Sequence, residues 1–179
     1  GSDYKLSELS KFMRDPKIVD YLVESYRKLA LGRKQITFCV DTKHAKQVME
    51  AYKANGFDRI AYIDAGTSPA ERETIFELFQ GEGVDIIVCI ETLTEGVDLP
   101  ECNSIQLARP TLSIILYLQM VGRGLRPKAD GGNCVILDNA GLTESFGVPD
   151  AVRNWSLDSD LNPIELSDKK LVRRRDGKI

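Results

Sequence analysis

Apolar and polar positions follow two rhythms along this chain, and the rhythms trade places at regular intervals. Short runs rich in β-branched residues, "QITFCV" (35–40), "RIAYID" (59–64), "VDIIVCI" (84–90), "SIQLA" (104–108) and "CVILD" (134–138), read as strands. Between them, apolar residues recur at three- and four-residue spacings, as in helices that bury one face. Asp15 and Pro16 open the first helix as N-cap and first-turn residue, Ile18, Leu22, Tyr26 and Leu29 form its stripe, and Gly32 stops it. A second helix starts near Lys43, turns Ala45, Val48, Met49 and Tyr52 to one side, and ends at Gly56. The third has the clearest start, because Ser68, Pro69 and Glu71 make a capping box. "TLSIILYLQMVG" (111–122) is the helix before the last strand.

One helix followed by five strand-helix units predicts an α/β fold, a central parallel sheet flanked by helices on both faces. The run at 84–90 is nearly all apolar, so it belongs in the middle of that sheet. After Gly141 the periodicity fades, and the remaining residues read as an irregular extension. The expected organisation is a leading segment and helix over residues 1–32, one domain over 33–141, and an extension over 142–179.

Composition narrows the class. With 179 residues, 42% hydrophobic and 28% charged, the chain can bury a full core as one globular domain. No run approaches the roughly 18 apolar residues that would span a bilayer. Cys39, Cys89 and Cys134 lie in strand-like runs, Cys102 does not pair with them in any CxxC, and His44 is the one histidine. Buried thiols in a reducing, cytoplasmic compartment are expected, with no zinc site. His44 itself reads as a surface residue at a helix start. A net charge of −3 excludes binding to nucleic acid through a general basic field, so any such contact must be local.

In an open parallel sheet, side chains and backbone donors converge where strands end. "DTKHA", "AGTSPAER", "ETLTEGVDLP" and "RPT" follow strands one to four, and "QMVGRGLRP" precedes strand five, so hydroxyls, glycines, acids and arginines are expected on one rim. Arg123 and Arg126 are three apart at the close of a helix, hence on one face. Two guanidinium forks there could clamp an anion; they could equally complement the helix dipole.

These segments resemble a known family. "QMVGRGLR" is similar to motif VI (QxxGRxxR) of superfamily 2 helicases and translocases, "ETLTEGVDLP" to motif V, and "ITFCVDTKHA" sits where motif IV belongs. The resemblance is to the second RecA-like domain of these motors, over roughly residues 33–158. Within the superfamily, "GRGLRP" and "LARPT" look most like RadD-type bacterial DNA repair helicases and the motor subunits of restriction enzymes.

The resemblance implies a three-layer RecA-like fold and a shared ATP site. Arg123 and Arg126 match arginine fingers that reach the γ-phosphate of ATP, and Gln119 would orient nucleotide or water. Gly122 and Gly124 would let the backbone come close. Gly96 and Asp98 match residues coupling nucleotide to the nucleic-acid track, while Thr92 and Thr94 would meet strand phosphates or, alternatively, cap a short helix. Thr67 and Arg72 align with a third strand-lining element. Relatives place a glycine where Ala65 stands, so a contact by Gly66 does not carry over.

The chain has neither GxxxxGK[ST] nor a DExH or DExD box. The magnesium-bound end of ATP is therefore expected on an N-terminal RecA-like partner domain, and this chain alone should be silent. The favoured track is DNA over RNA, in a bacterial or phage cytoplasm. The competing reading is a nucleic-acid or protein interaction module that keeps the fold without the motor. A self-contained hydrolase lacks both a GxSxG elbow and a triad histidine with partners.

Overall fold

The computed structural model describes residues 3–90, 99, 101–126, 131–151 and 153. Residues 1–142 and 143–179 form two compact units. In the first, five parallel strands, β1 (Gln35–Phe38), β2 (Ile60–Ile63), β3 (Ile86–Cys89), β4 (Ser104–Leu107) and β5 (Val135–Asp138), lie in the order β2-β3-β1-β4-β5. β1, β3 and β4 are buried throughout, whereas β2 and β5, at the edges, are partly covered. The parallel α/β architecture expected from the sequence is therefore the one observed.

Helices α1 (Leu6–Met13), α2 (Pro16–Leu29), α3 (Thr42–Ala54), α4 (Pro69–Gln80) and α5 (Ile114–Gly122) complete the layers. Asp15 caps α2 through Lys17 N, and Ser68 and Glu71 form the expected capping box on α4. The stripe of α2 is rotated from the one expected. Val19, Leu22, Val23, Tyr26 and Ala30 are buried, while Leu29 is exposed, because the helix turns the Val19–Val23–Ala30 side to the sheet.

One sheet face packs on α2 and α3, where Tyr26, Val48 and Tyr52 meet Ile86, Val88 and Leu137. A hydrogen-bonded chain crosses this otherwise apolar layer. The Tyr52 hydroxyl donates to Gln106 Oε1 at 2.8 Å, and Ser104 Oγ donates to Gln35 Oε1 at 3.0 Å. Gln106 Nε2 donates to Leu22 O at 2.8 Å and to Asn139 Oδ1 at 3.1 Å. Gln35, Thr37, Ser104 and Gln106 are all fully buried, so strands with alternating polar residues here are central rather than half-solvated.

Two further expectations change. α1 was not anticipated: Lys5 at its N-cap makes no side-chain bond, leaving no start signal in the sequence. Its presence explains the second change, because His44 is not on the surface. It sits in the first turn of α3, as expected, but is 0% exposed. α1 packs against α3, and Gln47 Nε2 donates to Arg14 O at 3.0 Å. Val40 N donates to His44 Nδ1 at 3.3 Å.

The extension expected to be irregular from residue 142 is ordered at its start by short-range bonds. α6 (Leu142–Phe146) is closed by Gly147 at φ 77°, and the Arg153 guanidinium donates to the carbonyls of Phe146, Val148, Pro149 and Ala151. A five-residue helix is too short to show a period in the sequence.

A candidate nucleotide and nucleic-acid interface

Ser113 caps α5 by accepting from Leu116 N, three residues later than the start read from the sequence. Arg123 is the C-cap of α5 and keeps helical dihedrals, so it stands one turn beyond Gln119, while Arg126 lies in the bend that follows the helix. Gln119 is exposed and Arg123 and Arg126 are half-buried. Burial, and then the positive charge of Arg126, hold Arg123 below its usual pKa. The two guanidinium groups are thus near enough to act on each other.

The glycines of this segment differ in role. Gly122 is exposed, and a β-carbon there would meet nothing within 4 Å. At Gly124 a β-carbon would stand 2.3 Å from Cys134 Sγ and 2.7 Å from Ile105 Cγ1. Gly124 therefore lets the chain rest on the sheet, rather than on a ligand. This contact also alters the single-rim picture. A helix that leaves the carboxyl end of β4 and feeds its parallel neighbour β5 must travel back to where those strands begin. The motif VI segment accordingly lies across the sheet face opposite α2 and α3, with Gly124 beside the first residues of β4 and β5.

At the carboxyl end of β2, the Asp64 carboxylate accepts from Gly66 N at 2.8 Å and from the Tyr62 hydroxyl at 2.7 Å. The Tyr62 hydroxyl bond is the largest of the causes that lower the Asp64 pKa, while burial first, then charge, pushes Tyr62 up to about 12. Thr67 Oγ1 accepts from Asp64 N at 3.0 Å. Arg72 donates to the carbonyls of Thr67 and Asp64, clamping the turn from α4. An open cavity of about 600 Å³ lies here, lined by Tyr62, Asp64, Thr67, Glu71 and Thr74 among others. Thr67 and Arg72 are thus brought together, and their side chains shape the turn.

Gly96, Asp98, Thr92 and Thr94 lie outside the described residues. Among the described residues no group of three or more His, Cys, Asp or Glu could hold a metal ion.

Residues 16–128, which run from α2 past the two arginines, match the family described as the helicase conserved C-terminal domain. This chain belongs to that family. Its helicase C-terminal domain is similar to a Saccharomyces cerevisiae protein named as the ATP-dependent helicase IRC3, 32% identical over 94% of this chain and 24% of that protein. It is also similar to the type I restriction enzyme EcoKI endonuclease subunit of Escherichia coli, 28% identical over 82% of this chain and 14% of that one. Among solved structures, T4 UvsW shares the fold at TM-score 0.57 and 21% identity, over 75% of this chain and 28% of that one. The superfamily 2 kinship expected from motifs V and VI is therefore shown. The chain spans about a quarter of the length of the first curated relatives it matches. No helix among the described residues is long and apolar enough to cross a membrane.

The sequence marked Arg109 and Thr111 within "RPT" but gave no sign of Asp3, which joins them at the start of α5. Asp3 accepts from Thr111 Oγ1 at 2.7 Å and from Leu112 N at 2.9 Å. A pair 108 residues apart leaves no local signal.

Proposed function

We propose that this helicase C-terminal domain is the second motor domain of an ATP-dependent superfamily 2 translocase acting on DNA, in repair or recombination. The observation that carries the reading is that Arg126 stands close enough to act on Arg123, which caps α5 one turn beyond Gln119. Two planar forks brought together make a cationic donor set that fits the oxygens of an anion. The terminal phosphoryl oxygens of ATP are such an anion, and Arg123 and Arg126 would hold them with Gln119 beside them and Gly122 leaving room. Bound ATP with Mg2+ supplies the phosphoryl group and its metal, whose ligands belong to an N-terminal RecA-like domain. As charge spreads over the transferring group, the guanidinium donors would stabilise it more strongly than in the ground state.

Residues 33–141 form the motor domain in this reading, between the leading segment 1–32 and the extension 142–179. Gly96 and Asp98 couple nucleotide to the track, and Thr92, Thr94 and Thr67 line it, with Arg72 holding the Thr67 turn. Contacts of this kind position a strand without reading its sequence, which suits an acidic protein. DNA is proposed from the likeness to restriction-enzyme motor subunits, and a bacterial or phage cytoplasm, nucleoid-associated, goes with it. The chain alone is proposed to be silent.

The test is steady-state ATPase of the complete polypeptide with single-stranded DNA, RNA or duplex, beside its Arg126→Ala variant. DNA-stimulated turnover that the variant loses is expected. Turnover absent with every nucleic acid would instead assign an interaction module, and RNA-selective stimulation would move the track to RNA. Asp98→Ala is expected to lower the stimulation ratio, and an unchanged ratio removes Asp98 from coupling.

A further inference from the structure

α5 runs into Arg123 and then the bend at Arg126, and its other end is held by a residue outside the region common to the family. Asp3 precedes residues 16–128, the part that matches. Its carboxylate reaches across to the loop between β4 and α5, where Oδ2 accepts from Thr111 Oγ1 at 2.7 Å and Oδ1 accepts from Leu112 N at 2.9 Å. Thr111 is 2% exposed, so its hydroxyl is fixed in the core and meets Asp3 at the surface. The bond is relayed onward. Ser113 N donates to Thr111 Oγ1 at 3.0 Å, and Ser113 Oγ accepts from Leu116 N at 3.2 Å, capping α5.

Arg109 connects the same corner to β3. Its guanidinium donates to Ile90 O at 3.2 Å, directly before the motif V segment, and its charge helps to lower the Asp3 pKa. α5 is nine residues long, a stiff rod of roughly 13 Å. A tilt where it starts displaces Gln119 and Arg123 where it ends, and through Arg123 the chain that leads to Arg126.

We propose that Asp3 is a positioning residue: through Thr111 and Leu112 it sets the seat of α5 and hence where the two guanidinium groups stand. The inference rests on the motor reading of those arginines. Asp3 is exposed, so its loss leaves the core intact. Bonds to a carboxylate are roughly twice as strong as neutral ones, which suits a latch at the surface.

In the complete polypeptide, Asp3→Ala is expected to lower kcat of the DNA-stimulated ATPase about tenfold with KM for ATP unchanged, since small misplacements of catalytic groups carry penalties of this order. Thr111→Val should give the same loss, and the double variant should be no worse than either single one. In this chain, the Leu112 amide should exchange its hydrogen faster in Asp3→Ala. An unchanged kcat in Asp3→Ala, or losses that multiply in the double variant, would overturn the proposal. Should the unsubstituted polypeptide show no ATPase, the motor reading fails, and exchange at Leu112 alone decides whether Asp3 seats α5: faster exchange supports it and unchanged exchange overturns it.

Discussion

Gly124 lies so close to Cys134 that a β-carbon on it would stand 2.3 Å from the sulfur, well inside any van der Waals contact. The glycine between the two arginines is therefore a packing requirement of the β4–β5 edge. Gly124→Ala is expected to destabilise the chain by about 1–3 kcal/mol, the usual cost of overpacking. Combining it with Cys134→Ala should recover part of that loss, because the nearest obstacle is then gone while Ile105 Cγ1 still stands 2.7 Å away. Chemical denaturation of the four variants measures the coupling, and strict additivity would place the strain elsewhere.

A lysine tests the fork at Arg123. Arg123→Lys keeps one positive charge but loses the planar, bidentate donor set, so ATP turnover by the complete polypeptide should fall close to the Arg123→Ala level, roughly a thousandfold. The melting temperature should hardly change, because half-exposed charges contribute little to stability. Wild-type turnover in Arg123→Lys would leave only a role for charge.

What could be read in the sequence were features with local causes. The Ser68–Glu71 capping box, the Asp15–Pro16 start of α2 and the buried apolar run of β3 each depend on residues a few positions apart, and each is found. The helix that ends beside Arg123 was legible for the same reason, but the bend that carries Arg126 beyond it was not. The path of α5 across the sheet face, the Asp3–Thr111 bond and the burial of His44 depend on partners distant in sequence. α1 escaped because nothing in its first turn caps it, and without α1 the face of α3 that holds His44 looked open.

The polar chain through the core gives a third prediction. Gln106 accepts from the Tyr52 hydroxyl and donates to Leu22 O and Asn139 Oδ1. Gln106→Leu removes the shared partner and leaves these buried groups unsatisfied, at about 1–3 kcal/mol for each one not rescued by water. Gln106→Glu should cost as much or more, since a buried carboxylate can no longer donate to Leu22 O. Denaturant midpoints measure both, and a stabilised Gln106→Leu would show that the network is not needed for stability.

The last prediction concerns acid. Burial, the largest cause, holds His44 down to about 4, against an ordinary 6.5, with Arg14 adding to the depression and Asp41 opposing it. Val40 N donates to Nδ1, so the neutral ring carries its proton on Nε2, which is buried without a partner among the described residues. Protonation in the fold would place a second charge-bearing N–H against Val40 N–H, so the folded state resists it. The unfolded chain accepts that proton more readily. The stabilisation from keeping His44 neutral is therefore complete above pH 6.5 and lost progressively as pH falls toward 4, for a total of about 3 kcal/mol. His44 is the one histidine in the sequence, so between pH 7 and 5 the slope belongs chiefly to it. Denaturation across that range should show falling stability in the native sequence and a flat line in His44→Leu. A native sequence equally stable at both pH values would mean that His44 titrates in the fold as it does in water, with α1 drawn away from α3.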